Sequence, residues 1–244
     1  RLTKNRQSSQ ETSSRRRNQY NNKLTNRTMD RNIDAKIISF YRAPISNCKP
    51  EKEMSLREIH DFIKNGRSGI VIKLRGIKDE KEARTYKASK FDYCTFSGIF
   101  THRKEDGLIQ HSGLLCLDFD HLDNVESVFQ QLIADPRCPT ALLFRSPSGE
   151  GLKWVVPIDV DQMSHEDWFY ALSSYVHDTY GLEADNHCKD VCRACFLPRD
   201  VNVYMDEEVF SKPLFIPDAV SSDPEPVQET VTGDDSFEVV VERI

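Results

Sequence analysis

No stretch of this 244-residue sequence approaches the roughly 18 consecutive apolar residues of a membrane span. No secretion signal is expected either, because the basic N-terminus is followed by no apolar segment. Internal repeats are missing. So is the Gly-x-x-x-x-Gly-Lys-Ser/Thr pattern, which excludes a P-loop. The chain also lacks an even cysteine framework: its seven cysteines are scattered and read as reduced thiols of a cytoplasmic protein. A uniform positive charge is absent as well. Residues 1–28 carry eight Lys/Arg and one Glu, residues 218–244 carry eight Asp/Glu and one Arg, and the net −6 therefore resides in residues 29–217. A core of that sign does not coat duplex DNA by charge alone, so any nucleic-acid contact must be local or helped by metal ions.

What is present is a soluble, globular balance, 38% hydrophobic and 30% charged. Residues 1–28 are rich in Arg, Asn, Ser and Thr and read as a disordered basic leader, with Met29 a candidate start of the native chain. Residues 29–217 form the one folded domain, and residues 218–244 read as an acidic linker or tail to a longer protein. Within the domain, residues 36–41 and 70–74 read as strands. Ser55 and Glu58 offer a capping box to a helix carrying Leu56, Ile59, Phe62 and Ile63 on one face, ended by Gly66 and Gly69. A charged helix is expected over 78–87, β-rich sequence over 91–100, and a hairpin around residues 103–106. Helices capped by Asn124 and covering 165–180 follow, with strands at 141–144 and 152–158 and a last pair of short strands around 193–198.

The hairpin feeds a stretch in which the apolar run from Leu114 to Leu117, bounded by Gly113, suits a buried central strand and ends in Asp118, Phe119 and Asp120. Alternate side chains of a strand share a face, so Asp118 and Asp120 are expected to point the same way, with Cα atoms roughly 6.5 Å apart. Two carboxylates so placed suit a hard divalent cation; the plainer alternative is a strand end opening a turn. Ser146, Pro147, Ser148, Gly149, Glu150, Gly151, Leu152 and Lys153 then link two strands. Glycines let successive N–H groups face an anion, the serines add hydroxyls and Lys153 adds a cation. A hairpin turn with a solvated lysine is the alternative. In the third segment, Asp185 offers another carboxylate and Arg193 a fork of donors for phosphate. His187, Cys188, Cys192 and Cys195 lie too irregularly for a zinc site, and the three cysteines read as reduced and partly buried. Cys116 reads as an inert strand thiol, and His111 and His121 as surface or turn residues.

The order of these motifs resembles the archaeo-eukaryotic primase superfamily, most closely the primase-polymerase branch of bacterial mobile elements that includes VirE-type, Bacteroides-type N-terminal domains. The resemblance covers roughly residues 35–210. It implies an α/β (α+β) fold with a mostly antiparallel central sheet, an RRM-like core and flanking helices. It also implies that Asp118, Asp120 and Asp185 hold two Mg2+ or Mn2+ ions about 3.5–4 Å apart. Ser146, Ser148, Gly149, Gly151, Lys153 and Arg193 would hold the triphosphate. Most of the superfamily carries His where this chain has Lys153. The partners implied are nucleotide triphosphates, a single-stranded DNA template and a replication helicase. Three functions stay open: a nucleotidyltransferase, a non-catalytic nucleotide- or DNA-binding module of the same fold, and a metal-dependent nuclease. Asp118→Ala or Asp120→Ala is expected to abolish synthesis and leave the fold intact.

Overall fold

The computed structural model describes residues 32–217. The expectations for the leader at 1–28 and the tail at 218–244 lie outside the described residues. Mixed helices and antiparallel sheets make this an α+β fold. After a 3-10 turn, β1 (Ile37–Tyr41) pairs antiparallel with β2 (Lys52–Ser55), which leads into α1 (Leu56–Asn65). The capping box is present: Ser55 Oγ accepts from the Glu58 N–H, and the Ser55 N–H donates to Glu58 Oε2 at 2.7 Å. Two further helices, α2 (Ser68–Gly76) and α3 (Glu80–Lys90), precede β3 (Tyr93–Thr95) and a hairpin of β4 (Gly98–Phe100) and β5 (Leu108–His111). The chain continues through β6 (Leu114–Phe119), α4 (Val125–Ile133), β7 (Leu142–Arg145), β8 (Leu152–Pro157), α5 (His165–Tyr180), β9 (Cys195–Phe196) and β10 (Tyr204–Met205).

The strands form one sheet of order β2-β1-β3-β9, a second of order β10-β7-β8-β6, and the separate hairpin. Period-2 alternation in the second sheet sorts its residues between two cores. Leu115, Leu117 and Phe119 of β6 and Leu152, Trp154 and Val156 of β8 pack with Trp168, Phe169 and Leu172 of α5. Leu114, Leu142, Phe144 and Val155 face the other way and meet Ile38 and Phe40 of β1 and Ile59 and Ile63 of α1. Polar atoms buried with the first core are paired: Trp154 Nε1 donates to Thr140 Oγ1 at 2.7 Å, and Trp168 Nε1 to the Asp159 carbonyl at 2.8 Å. No helix among the described residues is long and apolar enough to cross a membrane.

Four local expectations need correction. Residues 70–74 are helical, in α2, because burial there follows a three-residue step: Val71 and Leu74 turn inward and Ile72 is 70% exposed. Gly69 accordingly sits inside α2 rather than ending α1. β6 is not central but the last strand of its sheet. It is buried all the same, because α5 covers one face and the segment after residue 184 covers its open side, where the Asp185 N–H donates to the Asp118 carbonyl at 2.9 Å. The short strands β9 and β10 do not pair with each other; β9 joins β3 and β10 joins β7.

Candidate functional site

Asp118 is the penultimate residue of β6 and lies on the same face as Cys116, opposite to the Leu117 and Phe119 side chains that enter the first core. Its cross-strand partner in the antiparallel register is Lys153 of β8. Both are almost fully buried, at 7% and 8% exposure, and Lys153 Nζ contacts Asp118 Oδ2 in an ion pair. Burial lowers the Lys153 ammonium below the ordinary lysine range, and the neighbouring thiols of Cys195, Cys116 and Cys188 oppose that shift. The second oxygen, Asp118 Oδ1, is buried without a hydrogen-bond partner. A lone carboxylate oxygen left so is costly unless something else meets it.

Asp185 arrives from a segment 67 residues further on and opens a 3-10 turn over Asn186–Lys189. Its Oδ1 accepts from the His187 N–H at 3.0 Å and lies 2.7 Å from His187 Nδ1, while Oδ2 accepts from Arg193 Nη2 at 2.6 Å. Burial alone would raise this carboxyl, but the His187 hydrogen bonds and the Arg193 charge together hold it below the usual aspartate range. The turn also brings in Cys188, whose N–H donates to the Asp185 carbonyl at 2.9 Å. Burial pushes the Cys188 thiol up to about 12. One ligand atom each from Asp118, Asp185 and Cys188 lie within 4.8 Å of one another. Two carboxylates, one with an orphaned oxygen, and a sulfur therefore fit a divalent cation, with Asp118 and Asp185 as the oxygen donors.

This cluster borders a cleft of about 300 Å³ whose charged lining is Lys87, Arg103, Lys153 and Arg193 together with Asp118, Asp120 and Asp190. Asp120 lies just past the end of β6, is exposed and faces the same cleft as Asp118, but does not belong to the three-atom cluster. A smaller hollow of about 20 Å³, room for one water, adjoins Asp118, Lys153, Cys188 and Cys195.

The turn at 146–151 is placed differently. Gly151 abuts the end of β6 so closely that an added Cβ would sit 2.2 Å from the Phe119 carbonyl oxygen. The Ser146 N–H donates to the Gly151 carbonyl at 2.8 Å and the Gly149 N–H to the Ser146 carbonyl at 2.9 Å, so two of the expected anion donors are spent inside the turn. Ser146 Oγ and Ser148 Oγ lie 3.0 Å apart, with Ser146 buried and Ser148 exposed. Gly149, at φ +89°, lies against the Arg75 guanidinium, whose Nε donates to the Pro147 carbonyl at 3.2 Å. Ser146, Ser148 and Gly149 do not line the cleft; Lys153 and Arg193 do.

Sequence reasoning did not single out Lys87 and Arg103, which no local pattern marks, and it considered Cys188 only with other partners. All seven cysteines are free thiols. A hydrogen bond to Cys195, and then burial, raises the Cys116 thiol well above its ordinary value, consistent with an inert thiol. His121 is an exposed turn residue with φ +55°. His111 is not a surface residue: it is half-buried on β5, with its Nε2 3.0 Å from His165 Nδ1.

No curated protein and no solved structure matches this chain significantly. A family model described as BT4734-like, N-terminal domain, matches residues 86–205, just under half of the chain. The matched stretch runs from within α3 to the end of β10 and holds Asp118, Asp120, Asp185, Cys188, Lys153 and Arg193, so the part of this protein that carries the site is similar to that domain.

Proposed function

We propose that this protein is a primase-polymerase-like nucleotidyltransferase that joins nucleotide triphosphates along a single-stranded DNA template in the replication of a mobile element, alongside a helicase. The observation that carries the reading is the meeting of Asp118 and Asp185, distant in sequence, at a buried unpartnered carboxylate oxygen beside a cleft walled by four cationic side chains. A divalent cation held by Asp118 and Asp185, Mg2+ or Mn2+ in the simplest case, would offset triphosphate charge and lower the pKa of a primer 3′-hydroxyl. The chain's own residues do the positioning. Lys87, Arg103 and Arg193 grip the phosphates, and Asp120 faces the same cleft as a further carboxylate. The template would follow the exposed cations of α3 that lead away from Lys87. The domain would take the primase-like form of the α+β class.

One observation favours a second reading, a non-catalytic nucleotide- or DNA-binding module: Lys153 Nζ already occupies one Asp118 oxygen. Incorporation of labelled nucleotides on primed and unprimed templates, with Mg2+ or Mn2+, separates the two. Cation-dependent extension that is lost in Asp185→Asn supports the enzyme. Nucleotide binding without extension supports the module, and template degradation without synthesis points to a nuclease.

A further inference from the structure

We infer that Cys188 is a third ligand at the Asp118–Asp185 site, so that the centre takes a thiophilic divalent cation of the zinc type in preference to magnesium. The inference rests on the reading of that site as a cation site and says which cation it selects. The three ligands are tied together by backbone: the Asp185 N–H bonds to the Asp118 carbonyl and the Cys188 N–H to the Asp185 carbonyl, both at 2.9 Å. Their ligand atoms already lie within 4.8 Å of one another, and Cys188 is 4% exposed. Bonds of about 2.0–2.3 Å place tetrahedral ligands roughly 3.5 Å apart, so closure on an ion requires movements of only about 1 Å.

Charge supplies the second argument. Asp118 is paired with Lys153, and Asp185 with Arg193. These four groups sum to zero before any ion arrives, which is a poor cage for a divalent cation. The Cys188 thiol is the one member of the cluster that can still add a negative charge. Binding exchanges its S–H proton, which passes to the buffer, for a sulfur–metal bond. Magnesium demands oxygen ligands and gains nothing from that exchange, whereas zinc and cadmium gain most. Asp118 Oδ1, buried and unpartnered, supplies an oxygen that no cation in the protein already holds. Cys192 and Cys195 stand outside the cluster, so the ligand set is not a cysteine-rich zinc finger.

The test is titration of the full, reduced 244-residue chain with Cd2+, read by sulfur-to-cadmium charge-transfer absorption. The expected result is a saturable band that Zn2+ displaces and a large excess of Mg2+ does not. Cys188→Ser should abolish the band and weaken Zn2+ binding by more than the roughly 10–100-fold typical of losing an outer-shell partner. Asp185→Asn, which keeps the thiol, should weaken Cd2+ binding as well. Cys116→Ser and Cys195→Ser should retain the band, and unchanged melting curves show that each variant is folded. A band that persists in Cys188→Ser, or equal affinity for Mg2+ and Zn2+, overturns the inference. Because binding is read without turnover, the two readings fail separately. A normal band with no nucleotide incorporation supports the thiolate site and counts against the polymerase. Incorporation in Mg2+ with no Cd2+ band does the reverse.

Discussion

His111 and His165 form a half-buried imidazole pair whose proton arrangement is dictated by one backbone bond. The Gly113 N–H donates to His111 Nδ1 at 2.9 Å, so in the neutral ring the His111 proton sits on Nε2 and donates to His165 Nδ1. Burial, then the charges of His165 and Lys36, bring His111 down to about 4. Burial brings His165 to about 4 as well, against an opposing hydrogen bond to the Cys188 backbone and the charge of Asp190. Both rings are depressed in the folded state, so the unfolded chain binds more protons between pH 6.5 and 4. The stability they confer is complete above about pH 6.5 and is lost as pH falls toward 4, by about 3 kcal/mol for one ring. Melting curves at pH 7.5 and 4.5 should therefore differ by many degrees, and His165→Gln should flatten that dependence; equal melting temperatures for the native chain would refute the pairing. A second residue-scale consequence revises the expectation that Asp118→Ala spares the fold. Removing either partner of the Asp118–Lys153 pair strands a buried charge, a loss of about 3–5 kcal/mol, whereas Asp118→Leu combined with Lys153→Met should recover most of it. Urea denaturation of the single and double variants checks this, and Asp185→Asn is the cleaner probe of catalysis. The two acids at the end of β6 were legible from their spacing. That Lys153 would answer Asp118 was not, because cross-strand register is a long-range fact.

At the scale of elements, those with an unambiguous period were readable before the fold was known. The helix over 165–180, the capping box of α1 and the N-cap of α4 matched their residues, since apolar stripes at helical spacing and Ser55, Glu58 and Asn124 each act locally. The failures came where the local signal fits two states. Ile70, Val71 and Ile72 are β-branched, which suits a strand, yet these residues lie in α2, where Val71 and Leu74 turn inward at a three-residue step. β2 went unseen because an edge strand with exposed Lys52 and Glu53 shows no apolar run. Two glycine substitutions test these placements in opposite directions. Gly69 lies in α2 with open space where a Cβ would go, so Gly69→Ala should stabilise the chain by about 0.4–1 kcal/mol. If residues 68–76 were not helical, that gain would not appear. Gly151→Ala must push its new Cβ into the Phe119 carbonyl and displace the end of β6, costing at least about 2 kcal/mol in urea unfolding and weakening Cd2+ binding at Asp118 with it.

At the scale of the whole molecule, the chain separates its charges, which reconciles its acidic balance with the nucleic-acid partner proposed above. Residues 64–90, from the end of α1 through α3, carry nine Lys/Arg against three Asp/Glu, while residues 29–217 together sum to −6. Within α3, Lys81, Arg84 and Lys87 recur every three residues and so share a side of the helix, with Lys87 at the cleft and the other two exposed. Arg84 meets Glu80 at 3.4 Å, but both are exposed and the pair contributes little, leaving the guanidinium available to phosphate. The stripe therefore continues the cationic wall of the cleft outward, the direction a template strand would take under the proposed function. Single-strand binding should show a salt dependence of log K falling by about 0.7 per phosphate contacted. The double charge reversal Lys81→Glu with Arg84→Glu should weaken binding of a single-stranded oligonucleotide strongly at low salt and reduce that slope by about 1.4. The same change should leave Cd2+ binding untouched, because neither residue reaches the Asp118, Asp185 and Cys188 cluster. A slope unaltered by the reversal would place the strand on another face, and the acidic remainder of the surface would then have to bind nucleic acid without these side chains.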